Sequence, residues 1–312
     1  MTRLGLVGAR GHTGAELIKL IDDHPTVTLA LASSRSNAGQ RVADQVAGIK
    51  SDLVFCETDA AMLHDCDLDA LILALPNHLA APFVDAWQRG GHDGPVIDLS
   101  ADYRFDSGWH YGLPELNREN QNGCTRIANP GCYATAMQLA LSPLRDLIEG
   151  VPMCFGVSGF SGAGTTPSDK NNPQTLADNL IPYAPFDHVH EREVSAQLGT
   201  RVRFVPHVAA FFRGILMTVT ANVKAGTTLA DITDRLHAAY ADEPLVRVQD
   251  DAPWVADNAE RHHACVAGAA LRDGELTLYA TLDNLLKGAA TQALQNLNLA
   301  CGHNELEGIP SD

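Results

Sequence analysis

A cysteine at a turn-to-helix junction is the residue of this sequence best placed to do chemistry. Residues 129–133 read Asn-Pro-Gly-Cys-Tyr, and residues 134–147 have the apolar spacing of a helix that Pro143 can break. The Pro-Gly turn would place Cys132 at the helix N-terminus, where partial positive charge stabilises a thiolate. We therefore predict that Cys132 is a nucleophile, the alternative being an inert buried thiol.

A thiolate nucleophile needs a proton partner, at least to protonate a developing alkoxide. The histidines in the second half of the chain that could serve are His188, His190, His207, His237, His262 and His263. Residue chemistry alone leaves the choice among them open.

The other six cysteines lack this turn-to-helix setting, and Cys56, Cys154 and Cys265 lie in strand-like runs typical of small core residues. An odd number of cysteines without a CxxC pair favours free thiols in a reducing cytosol over disulfides or a metal site. The N-terminus has no signal-peptide layout, and no stretch is long and apolar enough to span a membrane. We expect a cytoplasmic protein with no metal.

A glycine-rich loop follows the first strand-like run, at residues 4–7. Gly8, Gly11 and Gly14 have the spacing G-x-x-G-x-x-G and open a helical pattern at 13–21. Such a loop allows close backbone approach to a pyrophosphate at a helix N-terminus. In this strand–loop–helix context the loop predicts dinucleotide binding, the alternative being an ordinary glycine-rich turn.

The end of the second strand-like run, residues 27–32, indicates which dinucleotide. An NAD site usually carries an acidic residue there, whereas this chain continues Ser33-Ser34-Arg35. Two hydroxyls and a guanidinium suit a 2′-phosphate, so NADP(H) is favoured over NAD. The alternative is that Arg35 is simply a solvated loop residue.

In the first half of the chain, short apolar runs typical of strands alternate with helical patterns, which predicts βαβ units and a parallel sheet. Apolar runs at 70–75 and 96–99 add strands, and Thr13 and Glu16 have capping-box spacing. Beyond about residue 150, strand-like stretches such as 215–223 and 276–281 indicate an α+β domain with a largely antiparallel sheet. Residues 284–300 are again helical in pattern.

The formal net charge of −16 argues against nucleic acid and anionic membranes as partners. An anionic substrate would therefore need a local cluster of arginine, lysine or backbone N–H groups.

Several segments together resemble one family, the N-acetyl-gamma-glutamyl-phosphate reductases of arginine biosynthesis. The two most specific are Asn-Pro-Gly-Cys-Tyr at 129–133 and Asp-Asn-Leu-Leu-Lys-Gly-Ala-Ala at 283–290. The others are Gly-Leu-Val-Gly-Ala-Arg-Gly-His-Thr-Gly at 5–14, Ser-Ser-Arg-Ser-Asn-Ala-Gly at 33–39, Asp-Leu-Ser-Ala-Asp-Tyr-Arg at 98–104, Tyr-Gly-Leu-Pro-Glu-Leu at 111–116 and Gly-Val-Ser-Gly at 156–159. These segments span nearly the whole chain.

The resemblance implies a Rossmann-type NADP-binding domain, residues 1–131 and 284–312, because the last helix returns to the first domain. Residues 132–283 would form an α+β catalytic and oligomerisation domain resembling that of glyceraldehyde-3-phosphate and aspartate-semialdehyde dehydrogenases. The implied reaction is NADPH-dependent reduction of an acyl phosphate, N-acetyl-gamma-glutamyl phosphate, to the 5-semialdehyde through a Cys132 thioester. A homo-oligomer, dimer or tetramer, is implied as well.

The resemblance also implies roles for single residues. It makes Cys132 the nucleophile and His190 the acid–base residue, with His207 as the alternative. The implied cofactor contacts are Gly8, Gly11, His12, Thr13, Gly14, Ser33, Ser34, Arg35, Ser158, Gly159 and Asn284. The implied substrate contacts are Arg104, Asn129, His207 and Arg213. Guanidinium groups fit carboxylate and phosphate, although both arginines could instead form structural ion pairs.

The chain departs from the family pattern at three places. The segment 188–193 has Val189 and Arg192 where the family has Arg and Pro, and Ala210-Phe211 replace Pro-Met. After Gly159 the chain reads Phe-Ser-Gly-Ala-Gly instead of Ala-Gly-Arg. These departures leave open another N-acyl group, such as succinyl, or a related acyl phosphate.

Two further functions are alternatives. Aspartate-semialdehyde dehydrogenase activity, on aspartyl phosphate, is disfavoured because Gly131 stands where that nucleophile motif usually has Asn. A non-catalytic NADP-binding sensor is disfavoured by the complete motif around Cys132.

Overall fold

The computed structural model describes residues 1–311, so residue 312, the last of the predicted NADP domain, lies outside the description. The chain divides into two compact units. The first comprises Met1–Pro130 and Ala289–Pro310, and the second comprises Gly131–Gly288. Gly131 and residues 284–288, which we expected in the first domain, thus lie in the second unit.

The strands are, in chain order, β1 (Thr2–Val7), β2 (Val27–Ser33), β3 (Ala70–Leu73), β4 (Val96–Asp98), β5 (His110–Tyr111), β6 (Arg126–Ala128), β7 (Ile148–Gly159), β8 (Leu180–Pro182), β9 (Arg203–Ala209), β10 (Ile215–Val223), β11 (Val246–Gln249), β12 (Ala264–Arg272) and β13 (Glu275–Leu282). The α-helices are α1 (His12–Asp22), α2 (Val42–Gln45), α3 (Ala81–Arg89), α4 (Pro114–Asn117), α5 (Cys132–Leu141), α6 (Pro173–Leu176), α7 (Val189–Leu198), α8 (Leu229–Tyr240), α9 (Val255–Asn258) and α10 (Thr291–Cys301). A π-helical turn, Leu286–Ala290, precedes α10.

The first unit is built on a six-stranded sheet with the order β2-β1-β3-β4-β6-β5, and every strand pair is parallel. Its central strands β3 and β4 are buried on both faces, as their continuous apolar runs predict. Ile72 packs in the core that contains α1 and α10, whereas Leu71 and Leu73 pack in the core that contains α3. A parallel sheet covered by helices on both faces confirms the predicted Rossmann-type fold of this unit.

The second unit has a seven-stranded mixed sheet with the order β11-β12-β13-β10-β7-β9-β8. The pairs β7–β9 and β11–β12 are parallel and the other four are antiparallel. One face packs against α5, α7 and α8. The opposite face exposes apolar side chains of β7: Val151, Met153 and Phe155 alternate with the buried Cys154.

Three details differ from the sequence-based expectations. The first helix starts at His12 with Gly11 as N-cap, so the predicted capping box of Thr13 and Glu16 is wrong, since Thr13 is already helical. The helix after Cys132 ends at Leu141 and continues as a 3₁₀ turn that contains Pro143, which has no amide hydrogen to donate. The last helical pattern is interrupted by the π-helical turn.

Among residues 1–311, no helix is both long and apolar enough to cross a membrane. The same residues contain no group of three or more His, Cys, Asp or Glu side chains that could hold a metal ion.

Candidate active site

Cys132 is the first residue of α5, and Gly131 is its N-cap in extended conformation. Gly131 has no side chain to cap α5, and the thiol of Cys132 lies at the end of the helix where the positive pole of its dipole is. The residues of α5 after Cys132 are all buried, whereas Cys132 itself is half-buried. By contrast, burial raises the pKa of the Cys154 thiol, and that of Cys265 to about 11. Cys132 is therefore both partly accessible to solvent and located at a helix N-terminus.

A buried carboxylate of α7 fixes the start of this helix. The Gly131 N–H donates to Oε1 of Glu193 at 2.9 Å, and Glu193 is fully buried. His190 lies three residues before Glu193 on the same helix, and residues with this spacing share a helix face. The bond thus turns the His190 face of α7 towards the residues that precede Cys132.

Aromatic rings surround His190 and Tyr133, the residue after Cys132. The ring centroids of Tyr133 and His190 are 5.9 Å apart, and those of His188 and His190 are 4.9 Å apart. The Nδ1 atom of His188 accepts the His190 N–H at 3.2 Å and caps α7. Burial, aided by the charge of Lys170, lowers the pKa of His188 to about 4. His188 is therefore neutral near pH 7 and acts as a capping acceptor.

Two phenols lie beside the Cys132 thiol. Burial, then the nearby Tyr183 and Cys132, raises the pKa of Tyr133 above its usual range. Burial followed by the proximity of Cys132 does the same to the pKa of Tyr183. Both hydroxyls stay protonated and can donate hydrogen bonds, and that of Tyr133 donates to the His207 carbonyl at 2.7 Å.

The ring of His207, the alternative acid–base residue, packs against Phe155, an exposed residue of β7. The centroids of the two rings are 4.2 Å apart. Because Phe204 of the same strand points into the helix-covered core, alternation places His207 on the opposite sheet face. This geometry favours His190 over His207 as the proton partner and gives no support to His207 as a substrate contact.

In the second unit, the segments predicted to contact cofactor and substrate are hydrogen-bonded to one another. Asn284 accepts the Gly214 N–H at 2.7 Å and donates to the hydroxyl of Ser161 at 2.9 Å. The Gly159 N–H donates to the Gly214 carbonyl at 2.9 Å, and Ser158 is buried beside it. The predicted cofactor contacts Ser158 and Gly159, at the end of β7, are therefore joined to Asn284 by hydrogen bonds through Gly214 and Ser161.

Arg213, a predicted substrate contact, pairs with two carboxylates. Its Nε lies 2.9 Å from Oδ2 of the buried Asp283, and its Nη1 lies 3.7 Å from Glu260. The side chain is 12% exposed. The ion pair is thus a structural contact, and the substrate role of Arg213 stays a prediction.

In the first unit the glycine loop has the shape that a pyrophosphate requires. Gly8 has φ +83°, and a Cβ there would collide with the Ala74 carbonyl. Gly14 lies against the Ala9 backbone, so the first turn of α1 packs closely on the loop that leaves β1. The N-cap Gly11 again leaves the N–H groups of His12 and Thr13 without a side-chain cap.

Two arginines lie at the loop after β2, Arg35 within that loop and Arg10 from the glycine loop. Ser33 and Ser34 are buried, and Arg35 is exposed. Nη1 of Arg10, from the glycine loop, donates to the Ser36 hydroxyl at 3.2 Å. Arg35 thus follows the two serines directly in the chain, Arg10 bonds the residue after it, and no acidic residue lies between 33 and 36. The residues fit a 2′-phosphate.

Arg104 and Asn129, two predicted substrate contacts, are buried and hold the backbone of the first unit. Arg104 donates to the carbonyls of Asn129 at 2.9 Å and Leu99 at 2.8 Å. The amide of Asn129 accepts from Asn296 at 3.0 Å. These bonds fix the chain just before Cys132, and direct substrate contact by either residue stays a prediction.

Comparison with known proteins gives matches over both units. Residues 3–123 match the model of the semialdehyde dehydrogenase NAD binding domain, and residues 132–284 match that of the semialdehyde dehydrogenase dimerisation domain. An N-acetyl-gamma-glutamyl-phosphate reductase of Stenotrophomonas maltophilia (strain R551-3) is 58% identical over 98% of both chains. The chain belongs to the N-acetyl-gamma-glutamyl-phosphate reductase family. A member of this family from Xylella fastidiosa (strain 9a5c) is 54% identical over 98% of this chain and 93% of its own length.

The family resemblance inferred from the motifs is thereby confirmed. Solved structures support the same fold at lower identity. Aspartate semialdehyde dehydrogenase II from Vibrio cholerae superimposes with a TM-score of 0.77 at 19% identity, covering 97% of this chain and 99% of that one. The enzyme from Francisella tularensis gives 0.77 at 18% identity, covering 96% and 99%.

Three residues of the site were missed by sequence reasoning. Arg10 lies inside the glycine motif, and only the fold brings it to Ser36. Glu193 had a signal, since its spacing from His190 puts both on one helix face. Tyr183 had none, because it lies in an irregular segment far along the chain from Cys132.

Proposed function

We propose that this chain catalyses the NADPH-dependent reduction of N-acetyl-gamma-glutamyl phosphate to N-acetylglutamate 5-semialdehyde with release of phosphate. The observation that carries the proposal is a half-buried Cys132 at a helix N-terminus, whose neighbour Tyr133 has its ring centroid 5.9 Å from that of His190. The names of the close relatives supply the substrate and the place in arginine biosynthesis.

The Cys132 thiolate attacks the acyl carbon, a carbon–sulfur bond forms, and the bond from carbon to the phosphate oxygen breaks. The resulting thioester is a better hydride acceptor than a carboxylate. When bound, NADPH supplies the hydride. His190 protonates the alkoxide of the thiohemiacetal and takes the proton back as the carbon–sulfur bond breaks, which releases the aldehyde and restores the thiolate.

Backbone N–H groups at the start of α5 are suited to the oxyanion that forms at each step. The Gly131 N–H is committed to Glu193. The role therefore falls to the N–H groups of Cys132 and Tyr133, with the phenol of Tyr183 as a further donor. The cofactor would be held by the glycine loop and its 2′-phosphate by Arg10 and Arg35.

We also propose that the chain forms a homo-oligomer in the cytoplasm. The exposed side chains of Val151, Met153 and Phe155 on the open sheet face suit burial against a second copy. The matched dimerisation domain model covers these residues. Seven free cysteines suit a reducing compartment.

The test is phosphate-dependent reduction of NADP by three aldehydes: N-acetylglutamate 5-semialdehyde, its N-succinyl analogue and aspartate semialdehyde. We expect the highest kcat/KM with the N-acetyl compound. A preference for either other aldehyde would contradict the proposed substrate, and NADP binding without turnover of any would favour the sensor.

A further inference from the structure

The π-helical turn after β13 has no part in the proposed mechanism so far, although it lies within one of the two most specific motifs of the sequence. In this turn the Gly288 N–H donates to the Asp283 carbonyl at 2.9 Å, a bond that spans five residues. Such turns are rare and are frequent at functional sites.

The turn touches the nucleophile through Gly288. A Cβ placed on Gly288 would lie 2.7 Å from the Cβ of Cys132. The same atom would lie 3.1 Å from the Asp283 carbonyl and 3.1 Å from the Leu282 side chain. Because carbon atoms do not approach this closely, only glycine lets the turn and Cys132 occupy their present positions.

The buried side chain of Asp283 holds the turn in place. Its Oδ1 accepts the N–H groups of Leu285 at 2.8 Å and Leu286 at 3.1 Å. Its Oδ2 accepts the Glu260 N–H at 2.7 Å and pairs with Arg213 at 2.9 Å. A turn fixed at this many points cannot easily yield to an added methyl group, so Cys132 would have to move.

We propose that Gly288 is a positioning residue that sets the orientation of the Cys132 thiol at the start of α5. The turn forms a wall against the stem of Cys132 and keeps its sulfur near the first-turn N–H groups. The inference rests on the proposed function in that it takes Cys132 to be the nucleophile.

Gly288→Ala tests this inference in the full-length chain. Displacement of the nucleophile should lower kcat for the phosphate-dependent reaction by about 10- to 100-fold, with a smaller change in KM for the aldehyde. Alkylation of Cys132 by iodoacetamide, followed by mass spectrometry of its peptide, should be several-fold slower at pH 7, with its pH midpoint raised. The alkylation readout remains valid if the proposed reaction fails.

A matched control is Gly5→Ala, whose added Cβ would lie 2.7 Å from the Leu68 side chain in the first unit. It should lower the melting temperature without moving the alkylation profile of Cys132. An unchanged kcat and alkylation profile in Gly288→Ala would overturn the inference. If Gly288→Ala does not fold, adding Cys132→Gly should restore folding by removing the Cβ it meets, and a failure to do so would equally overturn it.

Discussion

The glycine loop of the first unit and the surroundings of Cys132 in the second unit are built in different ways. Gly8, Arg10 and Gly14 lie within seven consecutive residues that run from the end of β1 into the first turn of α1, so the sequence places them together directly. Cys132 instead depends on Tyr183, Glu193 and Gly288, and the bond from Gly131 to Glu193 already joins residues 62 positions apart. A cofactor loop can be inferred from spacing, whereas a nucleophile's setting is a product of the tertiary fold.

The largest effect on kcat should come from replacing His190, the proton partner, which lies far along the chain from Cys132. His190→Asn should lower kcat by about 10²- to 10⁴-fold, since it removes the acid–base group near Tyr133. The measurement is steady-state NADP reduction with N-acetylglutamate semialdehyde and phosphate. His237→Asn, on the exposed face of α8, is the matched control and should leave kcat unchanged. A greater loss in His207→Asn than in His190→Asn would reverse the assignment.

The next largest effect should come from replacing Glu193, the buried carboxylate of α7 that binds the N-cap of α5. Glu193→Ala leaves the Gly131 N–H without its partner, which costs about 1–3 kcal/mol. We expect kcat to fall about 10- to 100-fold and the melting temperature to drop. Glu193→Gln keeps an acceptor oxygen and should recover most of the activity. Equal losses in both variants would mean that the charge of Glu193, not its hydrogen bond, matters.

Replacing the arginines at the predicted 2′-phosphate site should have a smaller effect, confined to KM for NADP. Arg35→Ala and Arg10→Ala should each raise KM for NADP about tenfold, or about 1.4 kcal/mol, while KM for NAD stays the same. Arg41→Ala, an exposed arginine paired with Asp52, is the control. A parallel rise of both KM values would show that the arginines do not read the 2′-phosphate.

The smallest effect concerns stability of the first unit at low pH. Nδ1 of the buried His24 accepts the Thr26 and Val27 N–H groups, and burial lowers the His24 pKa below 6.5. The unfolded chain therefore binds a proton before the folded one does. This contribution to stability is complete above pH 6.5 and is lost as the pH falls towards the folded pKa, by up to about 1.4 kcal/mol per unit.

Urea unfolding between pH 7.5 and 5 measures this loss. His24→Asn should be less stable at pH 7.5 and should show a shallower decline, because it lacks the titrating group. A decline as steep as in the unsubstituted chain would assign the pH dependence to other residues, such as His110, whose pKa burial also lowers.

The same contrast explains what could be predicted from sequence. The strands β1 and β10, the glycine loop and the helix start at Cys132 follow from runs, spacing and turn residues within a few positions. The bonds of Arg104 to backbone carbonyls and of Arg213 to Asp283 could not be predicted from the sequence. A guanidinium group that suits an anionic substrate suits a carbonyl or a carboxylate equally well. The face on which His207 lies required the register of β9 against β7.

The most direct test of the central role of Cys132 is to trap the acyl-enzyme. With N-acetylglutamate semialdehyde and NADP but no phosphate, thioester formation should release about one NADPH per chain and then stall. Mass spectrometry should find the acyl group on the Cys132 peptide, and added phosphate should remove it. Cys132→Ser should show neither the burst nor the adduct. Turnover in Cys132→Ser near that of the unsubstituted chain, or an acyl group on another residue, would contradict the account.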